Sequence, residues 1–520
     1  MRPVESSVRE TLIGVALWCA LAGCVSHDSG FDEPLRLPAS FTTDGGSVTG
    51  TAGSTPAPDR WWLAFEDPTL DALQRDALST NFDLAAFRDR LRAAGAVVRR
   101  ERAALFPSFD YSANASRSWR GDDDRGGVTS FGAGVIGAYE VDVWNRIESE
   151  TDAAAFDAAV AAEALKASTI ALSAEVAFTW FALLEQRAQA DVLERQIETN
   201  ENVLRVVRAR FGGGVVRASD VLRQERLLES TREQRAVVRA RTDTLEHALL
   251  VLLGRSPTEE LDVGAEEATL PQLPPAPALG LPTELMQRRP DVRSAFFDIL
   301  AADAELAAAV ADQYPRVTLG LDASTSAEQV ADLFDDWALT LAADVLGPIF
   351  DGGRRRAEIE RSRAVKAERI DVYAQTVLVA LRQVVDALSR ESVRTEQIDR
   401  IEKQLDLARR TTERLNREYL NGDIPYIDVL DALTTEQQLQ RDLIEARFQL
   451  VSHRIDLYEA LAGGWENIIP DDDDAADTGG EEASRSAGPR RLSLSSGADD
   501  PRRIEASRRS ASTRTSSNGG

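Results

Sequence analysis

The stretch "ALFPSFDYSANAS" at residues 104–116 returns in altered form as "DQYPRVTLGLDAS" at residues 312–324. Pro107 and Pro315, which are 208 positions apart, hold the same place in the two stretches. After each proline, apolar and polar residues alternate, which is typical of a β-strand with two chemically different faces. A strand of this kind that occurs twice at a fixed offset indicates an internal repeat.

The offset of 208 residues holds along most of the chain. Asp83 falls on Asp291, and Asp220 falls on Asp428. The proline-rich segment "LPQLPPAPALGLP" at 270–282 joins the two copies. A period this long excludes a solenoid of short repeats, so the sequence predicts two copies of one domain-sized unit.

Each repeat contains a helix of unusual length. Segments 147–210 and 354–417 contain no proline and are rich in Ala, Leu, Arg, Glu and Gln, which are good helix formers. Sixty-odd residues make a helix about 90 Å long, and partner helices at 219–253 and 427–461 are expected to fold back antiparallel. Such lengths are typical of a coiled coil or an α-helical barrel.

Strict alternation of apolar and polar residues predicts four strands, at 109–116, 130–143, 316–324 and 337–345. Their lengths fit tilted strands that cross a bilayer, with one face toward lipid and one toward water. A soluble sheet with one face on a core alternates equally well, but the adjoining helices are too long to cover so short a sheet. The membrane interpretation is therefore favoured.

Four strands cannot enclose a conducting pore, because even small barrels need about eight. Open sheet edges are not tolerated in lipid, so the chain is expected to oligomerise. A ring of three subunits would supply twelve strands, although edge closure alone does not fix that number.

The N-terminus has the pattern of a bacterial export signal. Arg2 and Arg9 precede the short apolar run "TLIGVALWCALAG" at 11–23, which is too short to span a bilayer. The following Cys24 completes "LAGC", which resembles a lipobox and implies cleavage before Cys24 and lipidation of its thiol. An ordinary signal peptide with a chance cysteine is the less favoured alternative.

These patterns predict the following division of the chain: a lipoprotein signal peptide at 1–23, a lipidated extended segment at 24–60, repeats at 61–268 and 269–464, and a disordered, charged and Ser-rich tail at 465–520.

Composition argues against several functions. The formal net charge of −26 does not suit nucleic-acid binding, because phosphates require a basic face. Three histidines and two cysteines leave little material for a zinc or thiol site, and no catalytic residue, metal site or cofactor is predicted. The glycines of "GAGVIG" at 132–137 fall inside a period-two strand, so they do not form a dinucleotide-binding turn.

Several motifs together resemble the TolC-like outer-membrane efflux family, and most closely its lipoprotein branch of OprM- and NodT-type proteins. The resemblance covers roughly residues 58 to 464. It rests on the lipobox, the paired strands, the repeat and four further motifs: "WWLAFEDPTLDAL" (61–73), "YEVDVWNRI" (139–147), "PIFDGGRRRAEIE" (348–360) and "YLNGDIPYIDVLDA" (419–432).

The resemblance implies an α+β membrane protein built as a homotrimer. A twelve-stranded barrel, with four strands from each subunit, would cross the outer membrane and continue as a long α-helical barrel through the periplasm. The implied partners are a periplasmic adaptor and an inner-membrane pump, usually of the resistance–nodulation–division class. The implied function is passive conduction of small molecules, without catalysis, through a channel that is gated at its periplasmic tip.

The resemblance places the gate at Asp428, Asp431 and Tyr419. Six carboxylates of a trimer would converge on the axis, repel one another and attract cations. Asp428 also suits a capping role in the first turn of its helix, where an acid is stabilised by the helix dipole. Asp431 is the more distinctive candidate, because the equivalent residue in the first repeat is Arg223.

The gate differs from the family pattern in one respect. Ile424 stands where related tips use an arginine to tether neighbouring helices, which puts a polar lock at this position in doubt. Arg217, in the other hairpin turn, is a possible substitute, although a solvated loop arginine is the favoured interpretation.

The two hairpin tips are the expected docking sites for the adaptor. Their candidate residues are Gly212, Gly213, Gly214, Asn421 and Gly422. The turns are expected to require these glycines in any case, which makes them weak evidence of docking.

One alternative function remains open from the sequence. The chain could be a periplasmic coiled-coil adaptor or a structural lipoprotein with soluble sheets. Two hairpins in a duplicated frame favour the channel, because adaptors have one hairpin.

Overall fold

The computed structural model describes residues 41–43, 46–48, 60–119, 127–263, 269–277, 279 and 282–461. Cys24, most of the predicted N-terminal segments and the predicted tail at 465–520 lie outside the described residues. The elements in chain order are β1 (Phe41–Thr43), β2 (Gly46–Val48), α1 (Pro68–Thr80), α2 (Phe82–Ala103), β3 (Ser108–Ser118), β4 (Val128–Val141), α3 (Arg146–Gly212), α4 (Ala218–Leu252), α5 (Pro282–Arg288), α6 (Pro290–Ala311), β5 (Arg316–Ala327), β6 (Trp337–Leu346), α7 (Arg354–Asn421) and α8 (Tyr426–Ala460).

Both repeats follow one plan: a helix, two strands, a very long helix and a returning helix. The two long helices have 67 and 68 residues, so each is about 100 Å long. In each repeat the long helix packs along its returning partner, as α4 packs on α3 and α8 on α7. The predicted long helical hairpins are therefore present.

The two long helices differ in their surroundings. Helix α3 packs against α1, α2, α4, α6 and α8, and buried residues follow it from Ile147 to Val207. It contains an apolar window long enough to cross a membrane, but 72% of that window is buried inside the protein, so α3 is a core helix. Helix α7 is far more exposed, with Val393 and Leu407 among its solvent-facing apolar residues.

The main hydrophobic core lies where α1 and the short 3₁₀ helix Trp61–Phe65 pack on α3, α4 and α8. The ring of Trp61 stacks on Tyr458 with 5.1 Å between centroids. Trp180 donates a hydrogen bond of 2.7 Å from its indole nitrogen to Asp67, the residue that also caps α1. The first repeat and the end of the second repeat therefore share one core.

The four long strands form one antiparallel sheet in the order β3-β4-β5-β6. Strand β4 ends at Val141, two residues before the predicted end at 143. The physical reason is Asp142, whose carboxylate accepts hydrogen bonds of 2.8 Å from the backbone N–H groups of Arg146 and Glu148. Asp142 thus caps α3 instead of continuing the strand.

The register of the sheet separates an apolar face from a polar one. One row across the sheet is Phe109, Gly137, Leu321 and Leu341, and the next row is Asp110, Ile136, Asp322 and Thr340. A side chain at Gly137 would collide with the ring of Phe109, since an added Cβ would lie 2.8 Å from it. Apart from exceptions such as Ile136, the alternation seen in single strands therefore adds up to two distinct sheet faces.

The outer strands β3 and β6 each have an edge that is not paired with any other described strand. Every residue of both strands is exposed in a single subunit. An unpaired edge presents a row of free N–H and C=O groups. The sheet thus has two edges at which a further strand can pair.

Candidate functional site at the hairpin tips

The turn from α3 to α4 and the turn from α7 to α8 lie side by side at one end of the helices. An apolar cluster joins them, and it combines residues of both hairpins: Val207, Tyr419, Tyr426, Val429 and Leu430 are buried, and Val203, Val216, Val221, Leu227, Leu415, Ile424 and Ile427 pack around them. We call this set the tip cluster. Its position places both predicted docking turns and the predicted gate in one small region.

Ile424 is a half-buried member of the tip cluster. Its side chain therefore joins the apolar packing between the hairpins, where related tips are expected to use an arginine. Arg217, the possible substitute, is exposed at the start of α4. The structure thus places neither residue in a polar contact with Tyr419.

Tyr419 is buried, with 4% of its surface exposed. The guanidinium of Arg210 lies over its ring at 4.6 Å from the centroid, and the ring of Tyr426 lies 5.4 Å away. The Tyr419 hydroxyl has no hydrogen-bond partner among the described residues, and burial raises the pKa of this hydroxyl. Tyr419 therefore holds the two hairpins together by stacking.

Arg210 is the basic residue of this contact, and the sequence interpretation missed it. Its side chain belongs to the last turn of α3 and also donates a hydrogen bond of 3.2 Å to the carbonyl oxygen of Leu420. The equivalent residue in the second repeat is Glu418, which pairs with Arg414 at 2.9 Å. This reversal of charge between the repeats is the one sequence signal that could have drawn attention to Arg210.

A buried polar contact continues the junction above the tip. Asn200 of α3 and Gln437 of α8 exchange amide hydrogen bonds of 3.3 and 3.0 Å. Gln224 of α4 donates to the Asn200 carbonyl oxygen at 2.9 Å and accepts a hydrogen bond from the Tyr426 hydroxyl. Burial raises the pKa of that hydroxyl well above its usual range. These contacts fix the register of α8 against the first hairpin.

The glycines of the two tips differ in whether their backbone conformation requires glycine. Gly214 and Gly422 have φ values of +73° and +88°, which favour glycine. The expectation that the turn requires all of the tip glycines is wrong for Gly212 and Gly213. Neither has a positive φ, and an added Cβ would have no atom within 4 Å at Gly212 and none closer than 3.5 Å at Gly213.

Asp220 has a local structural role. Its carboxylate accepts a hydrogen bond of 3.2 Å from the backbone N–H of Arg217, which precedes α4. It also pairs with Arg223, one turn later, at 3.3 Å. Both partners of the Asp220 carboxylate thus lie at the start of its own helix.

Asp428 has no such backbone partner, although it occupies the equivalent position. The residue that corresponds to Arg217 is Pro425, which precedes α8 and has no N–H to donate. Arg223 is likewise replaced by Asp431. Both carboxylates are exposed, and neither forms a hydrogen bond or an ion pair with the described part of the chain. Their i, i+3 spacing places them on one face of α8.

The candidate chemistry is electrostatic. Among the described residues, no group of three His, Cys, Asp or Glu side chains could hold a metal ion. The tip instead offers a pair of free carboxylates on an exposed helix face, next to an apolar cluster that is closed by a stacked arginine. Such an arrangement can attract cations.

Comparison with known proteins adds a family to this description. The sequence profile described as "Outer membrane efflux protein" matches the chain twice, at residues 73–255 and 281–463. Both bounds of the second match are 208 residues beyond those of the first (281 − 73 and 463 − 255). The internal duplication is thereby confirmed.

Two curated relatives are similar over nearly their whole length. The chain is 31% identical to "Pyoverdine export outer membrane protein OpmQ" of Pseudomonas aeruginosa, over 86% of this chain and 96% of the relative. It is 28% identical to "Toluene efflux pump outer membrane protein TtgF" of Pseudomonas putida, over 88% of this chain and 97% of the relative.

Two solved structures have a similar fold. The outer-membrane channel OprN is 26% identical, with a TM-score of 0.77, over 84% of this chain and 98% of that one. The open-state MtrE outer membrane channel of Neisseria gonorrhoeae is 24% identical, with a TM-score of 0.74 and the same coverage. The likeness of fold therefore extends over the sheet and both helical hairpins.

Proposed function

We propose, since this chain belongs to the outer membrane efflux protein family, that it is the exit duct of a tripartite export system. Three copies form a channel across the outer membrane and through the periplasm. An adaptor and an inner-membrane pump, of the resistance–nodulation–division class, deliver small molecules to its periplasmic end. The chain itself conducts passively, without a catalytic site or a cofactor.

The observation that carries this proposal is the register of the sheet. It aligns the apolar residues of four strands on one face and most of the polar residues on the other. A closed barrel of three such sheets has twelve strands, an apolar outer surface for lipid and a polar lumen for water. Closure also pairs the free edges of β3 and β6, which lipid would not tolerate as open edges.

The gate of the proposed channel is the tip around Asp428 and Asp431. Both carboxylates are free of the capping bond and the ion pair that hold Asp220. In a trimer they form a ring of six around the axis, which attracts cations and resists anions. The stacked pair of Arg210 and Tyr419, rather than an arginine at position 424, keeps the second hairpin against the first.

The docking surface for the adaptor includes Gly212 and Gly213. The backbone does not need glycine at either position, so the absence of side chains there suits close approach by another protein. The surrounding apolar residues Phe211, Val215 and Leu420 are strongly exposed. This combination of small residues and exposed apolar groups is typical of a protein interface.

The lipid anchor of the proposed channel is Cys24. Replacement of Cys24 by Ser is expected to abolish incorporation of labelled palmitate and to leave the signal peptide uncleaved. The helical hairpins are expected to fold normally in this variant, because the substitution at Cys24 leaves the contact between α7 and β1 in place.

The proposed function is tested with the full-length chain in outer-membrane fractions and in planar lipid bilayers. We expect a trimer band that disappears on heating, and small ohmic conductance steps after reconstitution. A protein that becomes fully soluble after removal of its lipid, with no conductance, would contradict the channel.

Docking is tested separately in cells that contain the adaptor and pump encoded with this chain. Gly213→Leu is expected to raise the accumulation of exported compounds without loss of trimer. Gly213→Ala, which adds only a methyl group, is the matched control and is expected to have a much smaller effect.

A further inference from the structure

A fully exposed apolar pair follows the last strand of the sheet. Ile349 has a relative exposure of 103% and Phe350 of 91% in a single subunit. They lie three and four residues after the end of β6 at Leu346. Large apolar side chains at such exposure in an ordered turn indicate a contact that one subunit alone cannot make.

The turn that presents this pair is braced. Asp351 accepts hydrogen bonds of 3.0 and 3.3 Å from the backbone N–H groups of Gly353 and Arg355. The guanidinium of Arg355 in turn donates to the Asp312 carbonyl oxygen at 2.8 Å and to its carboxylate at 3.0 Å. The pair is therefore held outward by a hydrogen-bonded turn and not by a loose chain end.

A second exposed apolar group lies at the same end of the opposite edge strand. Phe106 precedes β3 and is 64% exposed, and Phe109 within β3 is exposed to the same degree. Because the four strands are antiparallel, β3 begins at the end of the sheet where β6 finishes. Both apolar groups therefore lie at the base of the sheet, next to the long helices, but on opposite edges.

Closure of the barrel brings these two groups together. The free edge of β6 in one copy must pair with the free edge of β3 in the next copy, antiparallel and about 4.8 Å apart. The chain after Leu346 then runs beside the chain before Ser108 of the neighbouring subunit. No other arrangement of an up-and-down barrel pairs these two edges.

A concavity of about 390 Å³ lies beside the pair, lined by Gln313, Pro348, Asp351, Arg355 and Arg356 as well as by the pair itself. Its polar and cationic walls do not suit an acyl chain. They do suit an aromatic ring, because a guanidinium packs favourably on a ring face. The lining therefore favours a side chain of another subunit over lipid.

We propose that Ile349 and Phe350 form a clasp between subunits at the junction of barrel and helices, with Phe106 of the adjacent copy seated in the concavity beside them. This clasp rests on the trimeric barrel of the proposed function. It goes beyond strand pairing, because it fixes each sheet to the next at the level where the strands give way to helices.

The clasp is tested by cysteine cross-linking of the full-length chain in outer membranes. The double variant Phe106→Cys with Phe350→Cys is treated with a mild oxidant or a short bis-maleimide and separated without reducing agent. We expect covalent dimers and trimers that account for most of the protein. Each single variant is expected to stay monomeric after heating, which also controls for bridging to Cys24.

The matched control pair is Trp119→Cys with Phe350→Cys. Trp119 directly follows β3 at its other end, about 36 Å away along an 11-residue strand, so this pair is expected to remain unlinked. A heat-sensitive trimer of the Phe106→Cys, Phe350→Cys variant that stays unlinked, with the introduced thiol at position 350 accessible to a lipid-soluble maleimide, would place the pair against the membrane and overturn the clasp. Absence of any trimer from the unmodified chain would instead contradict the proposed function.

A second measurement does not depend on cross-linking. Phe350→Ala is expected to lower the temperature at which the trimer dissociates in detergent by several degrees. Phe334→Ala removes a side chain of similar exposure from the loop at the other end of the sheet and is expected to leave that temperature unchanged. Equal effects of the two substitutions would contradict a specific contact at Phe350.

Discussion

The two hairpin tips have the same backbone plan but opposite electrostatics. At the first tip, Asp220 accepts a hydrogen bond from the N–H of Arg217 and pairs with Arg223. At the second tip, Pro425 removes the N–H and Asp431 replaces the arginine. The first tip therefore has one acid whose carboxylate is hydrogen-bonded and ion-paired. The second tip has two acids whose carboxylates have no partner among the described residues.

This difference separates what the fold needs from what function adds. A helix of this kind begins with an acid because its first turn has unpaired N–H groups. The first tip shows that one acid with a local partner meets that need. Two unpaired acids on an exposed face exceed it, which supports the role proposed for them at the channel entrance.

The largest expected effect is the loss of cation attraction at the second tip. Asp428→Asn with Asp431→Asn is expected to raise the half-blocking concentration of a divalent cation roughly tenfold in planar bilayers. A unit charge about 4 Å from another contributes about 1 kcal/mol even in water, and six charges are removed from a trimer.

The matched control for this pair is Asp220→Asn with Arg223→Gln at the first tip. These substitutions remove the same kind of carboxylate from a place where it is already paired. We expect their divalent block to equal that of the unmodified channel. Equal effects at the two tips would show that the difference in charge between them does not affect block by divalent cations.

The second expected effect is on stability, and it is larger at the first tip than at the second. Asp220→Ala removes a capping acid, which costs about 1 kcal/mol, and is expected to speed hydrogen exchange in the first turn of α4 roughly fivefold. Asp428→Ala is expected to change exchange in the first turn of α8 much less, because that carboxylate caps no described N–H. Hydrogen exchange with mass spectrometry measures both turns in one experiment.

The third expected effect joins the two tips. Arg210→Gln removes the cation from the Tyr419 ring, a contact that contributes about 0.5–1 kcal/mol. We expect the resting open probability of the channel to rise by roughly two- to fivefold. Arg208→Gln is the matched control, because Arg208 lies on the same helix as Arg210 but pairs with Glu225 of α4 at 2.7 Å and does not stack on Tyr419.

The smallest expected effect tests the proline directly. Pro425→Ala restores an N–H ahead of α8, so that Asp428 can cap its helix as Asp220 does. We expect slightly slower exchange in the first turn of α8, by a few tenths of a kcal/mol, and a small loss of divalent block. A block that strengthens instead would mean that the proline does not keep Asp428 free.

Most of the architecture follows from the sequence because it depends on periodicity. The alternation at 316–324 and 337–345 predicted two strands that the structure extends by only a few residues, and the long helices were predicted to within a few residues of their ends. Boundary errors occur where a side chain overrides the pattern. Asp142 shows this, because it leaves the strand to cap α3.

The candidate site was less predictable, because its contacts join distant parts of the chain. Nothing in the neighbourhood of Arg210 indicates that it stacks on Tyr419, which is 209 positions away (419 − 210). The requirement for glycine could not be judged from the turn alone, because Gly212 and Gly214 differ only in backbone angle. The free state of Asp428, by contrast, could have been inferred from the alignment of Arg217 with Pro425.

The unequal burial of the two long helices has a consequence for how the duplicated halves tolerate substitution. Helix α3 meets five other helices within its own subunit, so a substitution at any of its many buried positions disturbs packing that already exists. Helix α7 leaves much of its surface free in a single subunit and can accept change wherever no other copy touches it. Substitutions along α3 are therefore expected to lower the stability of a single subunit more often than substitutions along α7.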